Sequence, residues 1–236
     1  MIVLADENNI GELLQLVSKA DINACRIACL LESYGTGYDF AKFWIQYDDS
    51  GKPVSAAARY YSDITLFTSE DSDIDELKEF IGITGGSRFK NDDSVVMRLA
   101  SRENIRTAVK DGAEMIPSPD LNRAYRLLES CRESGFDVPR YEDFILDMSH
   151  KIRHGTALCA AVEYQGEYVS CAMTVAQSES CAVIGAVAVK KGFRRLGFGS
   201  ACVSHLCKML GSREIFIVRL KDRNREFYEQ LGFSES

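Results

Sequence analysis

Ala182-Val-Ile-Gly-Ala-Val-Ala-Val-Lys-Lys-Gly-Phe-Arg-Arg-Leu-Gly-Phe-Gly-Ser200 decides the fold. It opens as an alternating apolar strand, passes through a basic, glycine-rich turn, and leads into residues with helical apolar spacing. Strand, glycine turn and helix together place several backbone N–H groups around one anion. The first helical amides have no intrahelical partner, and the helix dipole favours negative charge. Gly197 and Gly199 let the backbone approach a bulky anion without a Cβ in the way. The amides of Arg195, Leu196, Gly197, Phe198, Gly199 and Ser200 can point into one concavity. Arg194 and Arg195 can add charge with geometry suited to phosphate oxygens. The turn is a local exception, because the chain as a whole carries a net charge of −7.

That acidity argues against a general binder of nucleic acid or anionic membranes. A chain of 236 residues with 46% hydrophobic and 27% charged content is ordinary for a globular protein of one or two domains. No apolar stretch approaches the roughly 18 residues of a membrane span, and the first residues lack the basic and apolar regions of a signal peptide. Cys25, Cys29, Cys159, Cys171, Cys181, Cys202 and Cys207 fall inside apolar helix or strand patterns, and Cys131 ends a helix pattern. None forms a Cys-x-x-Cys pair or a zinc-site spacing, so all eight are expected to be structural thiols in a reducing, cytoplasmic chain that binds no metal.

Outward from the turn, helix patterns cover residues 9–19, 21–32 and 73–81, and strand patterns cover 40–47, 54–68 and 94–99. The stretch 54–68 reads as one long or bent strand. Residues 111–119, with Gly112, Pro117 and Pro119, are the strongest linker signal. Beyond it the order recurs: helices at 120–131 and 140–153, strands at 156–164 and 168–176 about a Gln165-Gly166 turn, the strand at 182–189, and a helix near 197–209. A strand at 214–220 and a helix at 223–230 follow, with Gly232 suited to a left-handed C-cap. The repeated order suggests two related lobes, 1–112 and 113–236. The expected fold class is α/β with mixed sheets: tandem lobes, each a twisted, mostly antiparallel sheet flanked by helices.

Asn224-Arg-Glu-Phe-Tyr-Glu-Gln-Leu-Gly-Phe233 is the second informative stretch. Asn224 and Tyr228 stand four apart and should share a helix face, while Phe227 and Leu231 form a packing stripe. Taken with Ala186-Val-Ala-Val189 and Arg194-Arg-Leu-Gly-Phe-Gly-Ser200, it resembles the GNAT N-acetyltransferase superfamily, strongly over the last third of the chain. The first lobe would be a degenerate copy. The resemblance implies acetyl-coenzyme A as co-substrate and a small-molecule or peptide amine as acceptor. It implies backbone contacts from Val187 and Val189 to the pantetheine arm, and amides of Arg195 to Ser200 on the pyrophosphate. It also implies Asn224 on the donor and Tyr228 as general acid to the departing thiolate. A phenol with an unperturbed pKa of about 10 is protonated at neutral pH and can give that proton.

A general base is not assigned. The strand 181–189 has no carboxylate, and Glu163, Glu179, His154 and His205 are the nearest candidates by sequence. Cys181 could serve as a nucleophile only if something lowered its pKa, and its sequence neighbours offer nothing. In the first lobe the place of the glycine turn falls to Ser69-Glu-Asp-Ser-Asp-Ile-Asp-Glu-Leu-Lys-Glu79, which is acidic and has no glycine. Coenzyme A is therefore not expected there, and Trp44, Tyr60, Tyr61 and Phe67 read as packing. Two other readings stay open: a non-catalytic acyl-coenzyme A-binding sensor or scaffold, and a nucleotide site in a doubly wound fold. The meander-like strand order speaks against the latter.

Overall fold

A computed structural model describes residues 1–84, 94–132 and 136–235 of the chain. It falls into two compact units, Met1–Asp92 with Ala176–Cys181, and Asp93–Val175 with Ala182–Ser236.

The first unit runs β1 (Ile2–Leu4), α1 (Ile10–Val17), α2 (Ile22–Tyr34), β2 (Ala41–Tyr47), β3 (Pro53–Tyr60), β4 (Asp63–Thr68) and α3 (Ile74–Thr84). Its sheet has the order β1-β2-β3-β4, with every pair antiparallel. Asp21 starts α2 by accepting hydrogen bonds from the Asn23 and Ala24 amides at 2.8 and 3.0 Å, a cap worth about 1 kcal/mol. Leu13, Val17 and Ile27 of the helices bury against Phe43, Ile45 and Phe67 of the sheet. The stretch expected as one strand at 54–68 is two. Tyr61, with φ of 53°, turns the chain between β3 and β4, and neither central residue of that turn is the glycine or asparagine that usually announces it.

The second unit runs β5 (Ser94–Leu99), β6 (Ala113–Ile116), α4 (Leu121–Ser130), α5 (Tyr141–Arg153), β7 (Cys159–Tyr164), β8 (Glu167–Gln177) and β9 (Cys181–Val189). It continues with α6 (Phe198–Met209), β10 (Glu214–Leu220), α7 (Arg225–Gln230) and β11 (Phe233–Glu235). Its sheet has the order β11-β5-β10-β9-β8-β7-β6. Neighbouring β9 and β10 are joined through α6, the long connection that a parallel pair needs. Residues 113–116, expected as linker, form an antiparallel pair with β7 instead. Ser94–Leu99 pairs with both β10 and β11, so the first unit closes about twenty residues before the expected lobe boundary at 112/113.

This sheet is covered on both faces. Along β7 and β8, Cys159, Ala161, Tyr168, Cys171 and Met173 pack with α4 and α5, while Ala160, Val162, Val169 and Ala172 pack with α6 and α7. On β7 the period of two is that of a strand buried on each side, and in β8 a bulge opposite Val162/Glu163 shifts the alternation between 168 and 171. All eight cysteines are buried and free, as expected of structural thiols. Burial pushes Cys159, Cys202 and Cys207 up to about 12, which keeps them protonated. Among the described residues, no helix is long and apolar enough to cross a membrane. The strand order β-α-α-β-β-β-α-β occurs twice, from β1 to β5 and from β6 to β10.

Gly232 fixes the junction after α7. Its φ is +93°, and a Cβ there would lie 2.2 Å from the Ser101 carbonyl oxygen. Its own carbonyl accepts from the Ala100 and Ser101 amides at 2.8 and 3.1 Å. Gly232→Ala should cost about 3 kcal/mol in urea denaturation, and a midpoint equal to wild type would contradict this packing.

Candidate donor-binding site

β9 ends at Val189, and a 3-10 turn over Lys191–Phe193 carries the chain to Arg194. Arg195 and Gly197 are both left-handed, with φ of 65° and 83°, and α6 starts at Phe198. Alternating backbone hand of this kind turns successive amides toward one side. Gly197 is the N-cap and gives no side-chain hydrogen bond, so no side chain caps the opening amides of α6. Phe198 is buried against Tyr164 and Phe193, with ring centroids 5.7 and 6.4 Å away. Its side chain anchors the helix, and only its amide is available to a ligand. Arg194, Arg195, Leu196 and Gly197 are exposed, and Ser200 is half-buried.

Gly199 brings the two motifs together. A Cβ there would stand 2.9 Å from Val189 Cγ2 and 3.6 Å from the Phe227 ring. The end of β9, the start of α6 and helix α7 therefore converge where only a glycine fits. Val187 and Val189 are half-buried, and the Val189 carbonyl accepts a hydrogen bond from Arg194 Nε at 3.2 Å. An arm pairing with Val189 would have to share or displace that bond. β9 also departs from extended backbone at Ala186, whose φ is 47°. Such strain in a non-glycine residue costs about 1–3 kcal/mol and is characteristic of functional backbone. The only sequence signal for it is Gly185-Ala186, two small residues inside a valine-rich strand.

Asn224 and Tyr228 do not share an environment as their spacing suggested. Asn224 is the exposed, left-handed N-cap of α7, whereas Tyr228 is 7% exposed among Phe227 and Phe233. Asn224 is joined to Tyr228 through its backbone carbonyl, which accepts the Tyr228 amide at 3.2 Å. Burial pushes the Tyr228 phenol up to about 12, so the proton stays on the oxygen throughout the neutral range.

The candidate bases lie on different elements of the chain. Glu163 is tied to Arg123 at 2.8 Å, and His154 ends α5 with its ring 4.3 Å from that of His150. His205 lies within α6, where burial lowers its pKa. Glu179 and Cys181 belong to the first unit. The expectation for Cys181 needs correction: hydrogen bonds from the Cys25 thiol and the Ser178 and Ser180 hydroxyls do lower its pKa. Two of the three, Ser178 and Ser180, are sequence neighbours, and Cys25 comes from α2. Cys181 is nonetheless fully buried, with its sulfur 3.9 Å from the Asp21 carbonyl. Among the described residues, no group of three or more His, Cys, Asp or Glu could hold a metal ion.

The corresponding turn of the first unit, between β4 and α3, is filled by its own carboxylate. Asp73 accepts from the Asp75 and Glu76 amides at 3.0 Å each, and the Ser69 amide donates to Ser72 Oγ at 2.8 Å. The Asp73 carbonyl in turn accepts from Gln46 Nε2 at 2.9 Å. An anion would meet satisfied amides and like charge there.

Residues 121–233 match the model of the acetyltransferase (GNAT) family. The second lobe is a GNAT domain. Over the full chain the fold resembles a tandem GNAT protein from the clavulanic acid biosynthesis pathway, with a TM-score of 0.62, 12% identity, and coverage of 100% of this chain and 95% of that one. A GCN5-related N-acetyltransferase from Sphaerobacter thermophilus gives 0.60 at 13% identity, covering 100% and 92%. No curated protein matches the sequence. The tandem GNAT fold thus spans both lobes, and the GNAT domain supplies an uncapped helix start where the family's coenzyme A pyrophosphate calls for free amides. The residues present fit that group.

A pH series tests the Tyr228 environment. With an ordinary pKa of about 10 in the unfolded chain and about 12 in the fold, its contribution to stability is complete below pH 10 and is lost as pH rises toward 12. Tyr228→Phe should flatten that part of the stability profile in chemical denaturation. An unchanged loss of stability between pH 10 and 12 would mean that the phenol is not held in an apolar site.

Proposed function

We propose that the GNAT domain moves an acetyl group from acetyl-coenzyme A to a primary amine by direct attack. The observation that carries this is the glycine-capped start of α6, with its amides uncapped by side chains and with Arg194 and Arg195 beside it. Bound there, acetyl-coenzyme A supplies a thioester that an uncharged amine can attack. The amides of Arg195 to Ser200 hold the pyrophosphate, the edge of β9 at Val187 and Val189 orients the pantetheine arm, and Asn224 contacts the donor. Tyr228 keeps its proton until a thiolate develops and then donates it, while the proton shed by the attacking nitrogen passes to water and restores the phenol. The family's chemistry needs no metal, and the reading uses none. Eight free thiols suit a reducing, cytoplasmic compartment. The acceptor is a small-molecule or peptide amine.

The self-capped β4–α3 turn supports one donor site per chain. A second reading, a donor-binding sensor or scaffold without turnover, draws on one specific observation: β9, Cys181–Val189, carries no carboxylate.

Calorimetric titration with acetyl-coenzyme A, followed by transfer assays across a panel of amines, separates these. The expected result is one site per chain, with transfer to at least one amine. Tyr228→Phe should lower kcat by at least about 100-fold and leave donor affinity nearly intact. Donor binding without transfer would favour the sensor. No binding at millimolar donor would overturn both readings.

A further inference from the structure

Strand β10 ends against the expected pattern. Val218 is 37% exposed, while the next residue, Arg219, is 5% exposed. A guanidinium is rarely buried unless its donors are all met, because desolvation is costly. Here four of the five are met, from three sides. Arg219 Nη1 donates to the Leu220 carbonyl at 3.0 Å and also to the Lys221 carbonyl. Nη2 pairs with the Glu235 carboxylate of β11, and Nε lies 3.3 Å from Met97 Sδ of β5.

The two carbonyls belong to the turn that leaves β10. Within it the Arg223 amide donates back to the Leu220 carbonyl at 3.0 Å, and the next residue is Asn224. Glu235 also stands 3.9 Å from Arg225 Nε at the start of α7, and Arg225 in turn pairs with Glu229 at 2.8 Å. One buried cation thus fastens the end of β10, the turn and β11, and reaches the first residue of α7 through a shared carboxylate. Stability alone does not call for it, since apolar replacement of a buried ion pair is often neutral or stabilising. What an apolar side chain could not supply is directional bonding to the carbonyls of residues 220 and 221.

We propose that Arg219 is a positioning residue that holds the β10–α7 turn, so that Asn224 and Tyr228 stand at a fixed place relative to the start of α6. Its effect on donor binding rests on the acetyl-coenzyme A reading above; its effect on the turn does not.

Hydrogen exchange on the full chain and calorimetry with acetyl-coenzyme A test this in Arg219→Met and Arg219→Lys. Arg219→Met should melt cooperatively, and the amides of residues 221–230 should exchange about tenfold faster while the rest of the sheet keeps its protection. Its acetyl-coenzyme A Kd should rise about tenfold, with partial recovery in Arg219→Lys, whose single ammonium cannot bridge both carbonyls and the carboxylate. Wild-type exchange at 221–230 would overturn the proposal, and so would acceleration spread evenly over the whole domain. If Arg219→Met does not fold, Glu235→Gln carries the same exchange test, and unchanged protection there would overturn it. Should the wild type fail to bind acetyl-coenzyme A, the donor reading falls, and the exchange pattern still decides the role of Arg219.

Discussion

Helix α6 approaches β9 so closely that residue 199 has no room for a side chain. Val189 stands on one side of that space and Phe227 on the other. The approach is held by Phe198, whose buried ring contributes about 1.5–3 kcal/mol and cannot leave without opening the core. The opening amides of α6 point out of its N-terminal end, as in any helix. Gly197 then caps the helix with backbone conformation alone. A side-chain cap would stabilise the isolated helix by about 1 kcal/mol, yet it would fill the place where an anion belongs. The lobe forgoes that stability at the start of α6, as it does at α5 and α7, and at α6 a bound anion would supply it.

The first lobe makes the opposite choice with the same order of elements. Its α3 is capped by Asp73, its turn is closed by Ser69 and Ser72, and Gln46 reaches over from β2. The two lobes show that fold does not carry function by itself. One helix start keeps its amides uncapped by side chains, and the other satisfies them with its own carboxylate. Pairing of β5 within the second sheet adds a strand between β10 and β11, next to the Arg219 cluster that fastens the approach to α7.

Much of this was legible in the sequence because local rules agreed with one another. Alternation marked β9, paired glycines marked the turn, and the Asn224–Phe233 stretch marked α7. The acidic, glycine-free stretch 69–79 already set the first lobe apart. Other features were hidden for physical reasons. Tyr61 makes a hairpin turn with no glycine or asparagine to announce it. Gly112, Pro117 and Pro119 punctuate residues 111–119 as a linker would, although the four residues of β6 between them find a partner in β7. Cys181 owes its lowered pKa first to Cys25, a contact between distant positions that leaves no local trace, and then to the nearby Ser178 and Ser180. Arg219 shares by alternation the inward face of Ile215 and Ile217, but its charge gives no hint that such a side chain would be buried.

The central claim is that the amides opening α6 are the anion-binding element of the chain and that those opening α3 are not. Backbone-amide NMR during titration with coenzyme A tests it most directly. The account predicts large, saturable shifts at Phe198, Gly199 and Ser200, with Asp75 and Glu76 unmoved. Shifts centred on Asp75 and Glu76, or saturation that leaves Phe198 to Ser200 unmoved, would contradict it.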